Sequence, residues 1–481
     1  MLKKAIENFS LVFIYRVLNY VILIFMTIKL AAYLKPSLFG IYSYLMAFIT
    51  MFSSIGDFGL RHILARELSK DNDKNPYLAG SGIVLSFLFS ILSFFLIVGS
   101  IRMLNNESEL LRLSYVVGLT IIVCQLFCFY CSIFRGFEEL KYEAALRFLR
   151  QLSLLAAVLF LISFNLKLLS IFYAYLITYF LFFILGILIS KKLLKSDYHF
   201  KTKFFKELLR LSMPVGLSLI FFNIGLEISI IALKYYADNS VVGLFSAAYK
   251  VILSVVSIYY VLCASFIPLF KNLAKDINSN RKHLTSLAKY NFIIIIVIVI
   301  SGALFAEKIY LLFLGESYNL SATMFQYLII GVLFLLPAIL FSFILIALDR
   351  QKLFTLSSSF FLLFTLIFNL ILIPKYGWKG ACIGTISGQI IFFIGSLLLL
   401  RNCIKIPLLN SMVKPLVSGA AMVCFLYFFR SGNLLIQFIE LALGLVIYVS
   451  SLFLLNTFSE GEILFLKKSV RIKGKPLNLT P

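Results

Sequence analysis

The chain is short of the residues that soluble enzymes rely on. Asp and Glu together fill 21 of 481 positions, histidine three and tryptophan one, and all charged residues make up only 14%, against roughly 25% in soluble domains. So little charge cannot clothe a water-facing surface, which excludes a soluble globular protein. The three histidines, His62, His199 and His283, fall in polar connections between apolar runs, leaving none for a proton relay within a membrane. No GxxxxGK[ST] stretch is present, so a nucleotide-driven pump would lack its phosphate cradle and no cofactor is expected. The glycine-rich YGWKGACIGTISG (376–388) has a different spacing and reads as close helix packing or a turn. Of the seven scattered cysteines, Cys124, Cys128 and Cys131 share a helical face. With no histidine nearby they read as small buried side chains rather than a metal or redox site.

What the chain has is apolar length. Hydrophobic residues make up 61% of it, in runs of about 20 residues that cross a hydrocarbon core of about 30 Å as helix. The alternation of an outer-membrane barrel is missing. The expected fold is all-α, a polytopic membrane protein with about fourteen spans. They fall near 9–33, 38–60, 77–101, 113–134, 148–165, 168–189, 211–235, 241–267, 290–313, 321–348, 353–373, 379–400, 412–429 and 434–455. The opening MLKKAIENFS runs into an apolar stretch too long for a signal h-region, with no small-x-small site after it, so the N-terminus is expected to be retained.

An even count puts both termini on one side, and thirty of the 44 Lys and Arg fall in segments that a cytoplasmic N-terminus would place inside. Both termini are therefore expected in the cytoplasm. The net charge of +23 is concentrated in 191–210, 271–282 and 467–475; anionic lipid headgroups suit such segments, and nucleic acid is not needed to explain them. The first of them also reads as an interfacial amphipathic helix, with Phe200, Phe204, Phe205, Leu208 and Leu209 among its cations. Reporters fused after Lys203 and Lys275 are expected to behave as cytoplasmic, and those after Asn106 and Glu316 as external. Reversal at either pair would overturn the span count.

An internal repeat divides the chain. YLKPSLFGIYS (33–43) and YADNSVVGLFS (236–246) match at Tyr33/Tyr236, Ser37/Ser240, Gly40/Gly243 and Ser43/Ser246, at a constant offset of 203, and ARELSKD (65–71) parallels FKNLAKD (270–276). A shift of six spans gives two repeats of the same orientation, related by an axis along the membrane normal. The expected units are an N-terminal lobe (1–190, spans 1–6), a basic linker (191–210), a C-terminal lobe (211–400, spans 7–12), spans 13 and 14 (401–455) and a basic tail (456–481). External connections are short, the longest being about RMLNNESELLR (102–112).

Several stretches in order resemble one family: SSIGDFGLRHILARELS (53–69), RGFEELKYEAALRFLRQ (135–151), PVGLSL (214–219), NSVVGLFSAAYKV (239–251), LGESYNLSA (314–322), ALDRQ (347–351) and IPKYGWKGACIGTISG (373–388). Together they resemble the Wzx-type oligosaccharide flippases, such as those for O-antigen or capsule repeats. These form part of the polysaccharide transporter family in the multidrug, oligosaccharidyl-lipid and polysaccharide exporter superfamily. The resemblance implies two six-helix lobes around a central cavity that opens alternately to either side of a bacterial inner membrane. It also implies an undecaprenyl-pyrophosphate-linked oligosaccharide as cargo, and neighbouring polysaccharide polymerase machinery as a partner.

Charges inside spans nominate the site, because a charged side chain at the bilayer centre costs roughly 2.5–3.5 kcal/mol on insertion scales. Glu227 and Lys234, seven apart in span 7, lie within about 20° on a helix and about 10 Å along it, so they share a face without pairing. Lys250 lies in span 8 with Ser246, Ser254 and Ser257 on roughly its side, and Arg16 lies in span 1 near Asn19 and Tyr20. Arg16 and Lys250 suit pyrophosphate, Arg by a bidentate fork and Lys as a point charge, with Lys234 a further candidate. Glu227 is the first candidate for coupling to protons or sodium, since the protonation of a buried carboxylate would respond to which side the cavity faces. Asp57 is the second, although next to Arg61 it also suits a cap or ion pair. Lys29, Lys308, Lys414 and Arg430 sit near span ends and can snorkel.

Two rival functions remain at this point. A multidrug or cation antiporter of the same fold would favour an acidic cavity, whereas bases outnumber acids among these positions. A membrane enzyme acting on lipid-linked glycans would need a substantial external loop.

Overall fold

The computed structural model describes residues 2–69, 75–104, 107–194, 198–266, 270, 277–403, 408–429 and 434–458. Among them the regular structure is helical, with no strand. Among the described residues twelve helices are long and apolar enough to cross a membrane, and one of these, Val17–Asp57, is divided into two spans by a break. The helix Leu2–Asp57 breaks at Lys35 (φ 57, ψ 167), directly before Pro36. Proline lacks the N–H that would continue the ladder and drives the preceding residue out of the α region, so the chain ends span 1 there and begins span 2. With the shorter apolar helix Met412–Phe428, the count is fourteen, as the hydropathy pattern predicts.

Span 2 ends at a second break, Phe58 (φ 41) and Gly59 (φ 74), after which Leu60–Leu68 forms a short amphipathic helix burying Leu60, Ile63, Leu64 and Leu68. Spans 3 to 6 are Asn75–Leu104, Ser108–Gly136, Leu140–Ser163 and Leu168–Leu194, and spans 7 to 9 are Thr202–Tyr236, Asn239–Ser265 and Ile277–Leu314. The loop expected over 102–112 is mostly helical, because span 3 runs to Leu104 and span 4 starts at Ser108. The basic connection 191–210 differs more from expectation. Its described parts extend span 6 to Leu194 and open span 7 at Thr202, so its amphipathic portion is the first turns of a 35-residue helix and not a separate interfacial element. Leu208 is buried there with Phe129 and Leu64, which gives the apolar side of that segment a protein partner in place of lipid.

Span 10 is built from Asn319–Leu328 and Val332–Ala347, joined by a 3-10 turn at Ile329–Gly331. Spans 11 and 12, Gln351–Tyr376 and Trp378–Cys403, pack along their length. Glycines at 380, 384 and 388 permit this: a Cβ at Gly384 would lie 2.9 Å from Asn369 Oδ1, and one at Gly380 or Gly388 would overlap Leu372 or Thr365. Spans 13 and 14, Leu408–Phe428 and Leu434–Leu454, lie against span 9 through Ile296, Met422, Leu426 and Tyr448. Lys414 Nζ, expected to snorkel, donates to the Asn456 carbonyl at 2.8 Å.

The two copies of the repeat meet each other. A Cβ at Gly40 would overlap the Asn239 carbonyl oxygen and lie 3.0 Å from Gly243 N. A Cβ at Gly243 would overlap the Pro36 carbonyl oxygen and lie 3.0 Å from Gly40 N. Pro36 and Asn239 stand at the same offset as the two glycines, so the contact is two-fold: each copy presents the same patch to the other. Ser43 and Ser246, the next matched pair, are fully buried.

Candidate functional site

Beside this crossing, spans 1, 2, 8 and the end of span 9 line a cleft that includes Thr27, Ala31, Phe39, Ala247, Lys250 and Ser254. Lys250 reaches it because Phe39 and Gly40 bring span 2 close to span 8. Its Nζ lies 4.5 Å from the Tyr42 ring centroid and 5.2 Å from that of Phe39. Both faces attract a cation through the ring quadrupole and hold the ammonium without neutralising it. Tyr42 in turn shares a 2.8 Å hydrogen bond with the Tyr175 hydroxyl of span 6.

Glu227 of span 7 is 7% exposed. It lies beside Thr50 of span 2 and within electrostatic reach of Lys250, without a direct ion pair to that ammonium. Thr50 Oγ1 donates to the Met46 carbonyl at 3.0 Å. Glu227 and Lys250 thus stand within electrostatic reach of one another across spans 7 and 8. Lys234, nearly two turns further along span 7, is half-buried close to the end of its helix.

Asp57 sits elsewhere. Its buried Oδ1 accepts Arg61 Nε at 2.6 Å and the Arg61 backbone N–H at 3.2 Å, across the Phe58–Gly59 break. That places the carboxylate where it holds the reversal after span 2. The Arg16 side chain lies outside the described residues, as do Arg430 and the His283 side chain. The neighbouring turn of span 1 faces span 5, where Tyr15 meets Phe148 at 5.6 Å between ring centroids.

Two polar sets were not singled out from sequence. In one, Glu143 of span 5 binds Arg135 and, at 3.0 Å, Arg147 Nε. Glu143, Arg147 and Arg150 stand at i, i+4 and i+7, a charged helical face that the spacing alone would have revealed. The other set joins spans 7, 11 and 12: Asn369 Nδ2 and Thr385 Oγ1 both reach Ser229 Oγ, at 3.0 and 2.8 Å. All three residues are fully buried or nearly so. Single neutral polar residues in apolar runs carry no signal that separates them from ordinary packing.

Comparison with known proteins gives a family and a fold. A family model described as polysaccharide biosynthesis protein matches residues 2–274, more than half of the chain. An uncharacterized membrane protein of Methanocaldococcus jannaschii is 25% identical over 405 residues, covering 77% of this chain and 79% of its own. A structure of the lipid II flippase MurJ in an inward closed conformation superposes with a TM-score of 0.75 at 18% identity, over 92% of this chain and 97% of its own. An inward-facing multidrug resistance MATE family transporter of the MOP superfamily gives 0.65 at 16%, over 82% and 95%. These likenesses establish the all-helical architecture that the spans predict.

Proposed function

Since the chain belongs to the polysaccharide biosynthesis protein family, we propose that it is a flippase carrying a lipid-linked oligosaccharide, joined through a diphosphate to a polyprenol, across the cytoplasmic membrane by alternating access. The observation that carries this reading is Lys250: a cation held by aromatic faces in a cleft where the two repeats cross. Diphosphate is the part of such a cargo that an ammonium recognises in a low-dielectric site. The fold is shared with a protein described as a lipid II flippase, whose cargo is likewise lipid-borne by name.

The chemistry follows from the pair. With no cargo, Glu227 partly balances Lys250, which limits the cost of burying either charge. An arriving diphosphate competes with Glu227 for the ammonium, so loading frees the carboxylate to take up a proton or sodium ion. Opening to the far side requires the two-fold contact at Gly40 and Gly243 to part. Arg16 is the proposed second contact to the anion, with Lys234 near the exit. On this reading Asp57 holds its helix reversal and coupling falls to Glu227. The basic ends, the N-terminus included, face the cytoplasm, where anionic lipids meet them, and polymerase machinery would take the product on the other side.

A multidrug antiporter is the second reading, favoured by the buried Glu227 and by the fold of a multidrug transporter. Vesicles containing the purified chain separate the two. Movement of a polyprenyl-diphosphate oligosaccharide without drug efflux supports the flippase; drug efflux without glycan movement overturns it. In the same assay Arg16→Ala should abolish movement and Arg16→Lys should restore only part, because the bidentate fork is lost. Normal movement in Arg16→Ala would remove that residue from the site.

A further inference from the structure

A second set of cationic donors lies in the N-terminal half, outside the Lys250 cleft. Glu143 is engaged by Arg135 and Arg147, so its oxygens are committed to those two guanidinium groups. Arg147 Nη1 is left against a sulfur, 4.0 Å from Cys128 Sγ. Arg150 lies over the Tyr179 ring at 4.5 Å and gives Nη2 to Gln151 Oε1 at 2.8 Å. Its Nε and the Gln151 Nε2 are buried and find no acceptor, and Gln151 is only 5% exposed.

The charges do not balance. Arg135 and Arg147 share one carboxylate, and Arg150, packed on Phe127 and Tyr179, has no ion-pair partner among the described residues. The neighbouring Asp57 is already paired with Arg61, so it offers no compensation. Donors buried without acceptors are costly, and a surplus of cations in low dielectric more so, unless an anion completes them. Two guanidinium groups and an amide, one turn apart on span 5, match an acceptor with several oxygens on adjacent centres. Arg147 remains 30% exposed through its side chain, which leaves the set an opening. The set also connects to the first site: Arg150 lies over Tyr179, Tyr175 one turn away on span 6 bonds Tyr42, and the Tyr42 ring carries Lys250.

We propose that Arg147, Arg150 and Gln151 form a second anion site that takes the diphosphate headgroup of a membrane lipid before it reaches Lys250. The proposal deepens the flippase reading and rests on it for the order of the two sites. It gives the chain two stations for one headgroup, with the transfer between them made along span 2.

Native mass spectrometry and calorimetry on the full chain in nanodiscs test this with farnesyl diphosphate and inorganic pyrophosphate as probes. The wild type should bind two farnesyl diphosphates per chain. Arg150→Met should lose one, with at least tenfold weaker binding at that site, and Lys250→Ala should retain the one at Arg150. Arg147→Lys keeps the pair with Glu143 and preserves the fold, and should weaken the same site by a smaller factor. A single farnesyl diphosphate per wild-type chain, or unchanged binding in Arg150→Met, would overturn the site. Pyrophosphate binding as tight as farnesyl diphosphate would make the ligand a free anion and overturn the lipid assignment. The flippase reading fails separately: two bound diphosphates without glycan movement in vesicles uphold the site and sink the transport function.

Discussion

Gly40→Val and Gly243→Val are each expected to reduce glycan movement in vesicles at least tenfold while the protein still reaches the membrane. A side chain at either position meets backbone carbonyl and amide atoms of the opposite span, and backbone cannot rotate aside as a flexible side chain does. Overpacking in a tight core costs about 1–3 kcal/mol, and here the strain is relieved only by parting spans 2 and 8. The state in which the repeats touch would be depleted, and a cycle that needs it would stall. Gly99→Val is the control, because a Cβ at Gly99 meets nothing within 4 Å. Equal loss of movement in that variant, or none in the other two, would show that the crossing is not a moving part.

Lys250→Ala should abolish movement, and the nearby Glu227 makes the reason separable from misfolding. Removing the ammonium leaves the buried Glu227 carboxylate with less compensation, which is destabilising. The single variant should therefore be both inactive and less stable. The double variant Lys250→Ala/Glu227→Gln removes the stranded charge and should recover most of the thermal stability, yet it should stay inactive for want of the cation. Glu227→Gln alone keeps shape and hydrogen-bonding capacity but cannot titrate. It is expected to bind the anionic lipid and fail in gradient-driven transport. If the double variant moves glycan, Lys250 is structural; if Glu227→Gln still responds to a proton gradient, coupling lies elsewhere.

Much of the architecture was legible because the signals were long. Fourteen apolar runs need only count and length, and the break at Lys35–Pro36 follows from proline chemistry within four residues. The repeat was legible at Gly40 and Gly243 because close contact admits glycine alone, so both copies keep it. Glu227 and Lys250 stood out as charges inside apolar runs, but their meeting required the crossing of three helices, which no spacing encodes. The segment 191–210 departs from expectation for a related reason: amphipathicity identifies an apolar face, and only the fold decides whether lipid or Phe129 covers it.

A contact made by two identical surfaces about a two-fold axis must oppose every charge near that axis with its own sign. Here the two surfaces lie on one chain and have diverged. Lys35 precedes Pro36 on one side, and at the equivalent place Asp238 precedes Asn239 on the other. Joining the copies into one polypeptide thus released the seam from self-complementarity. Cation can face anion at positions where a homodimer of either half would have set like against like.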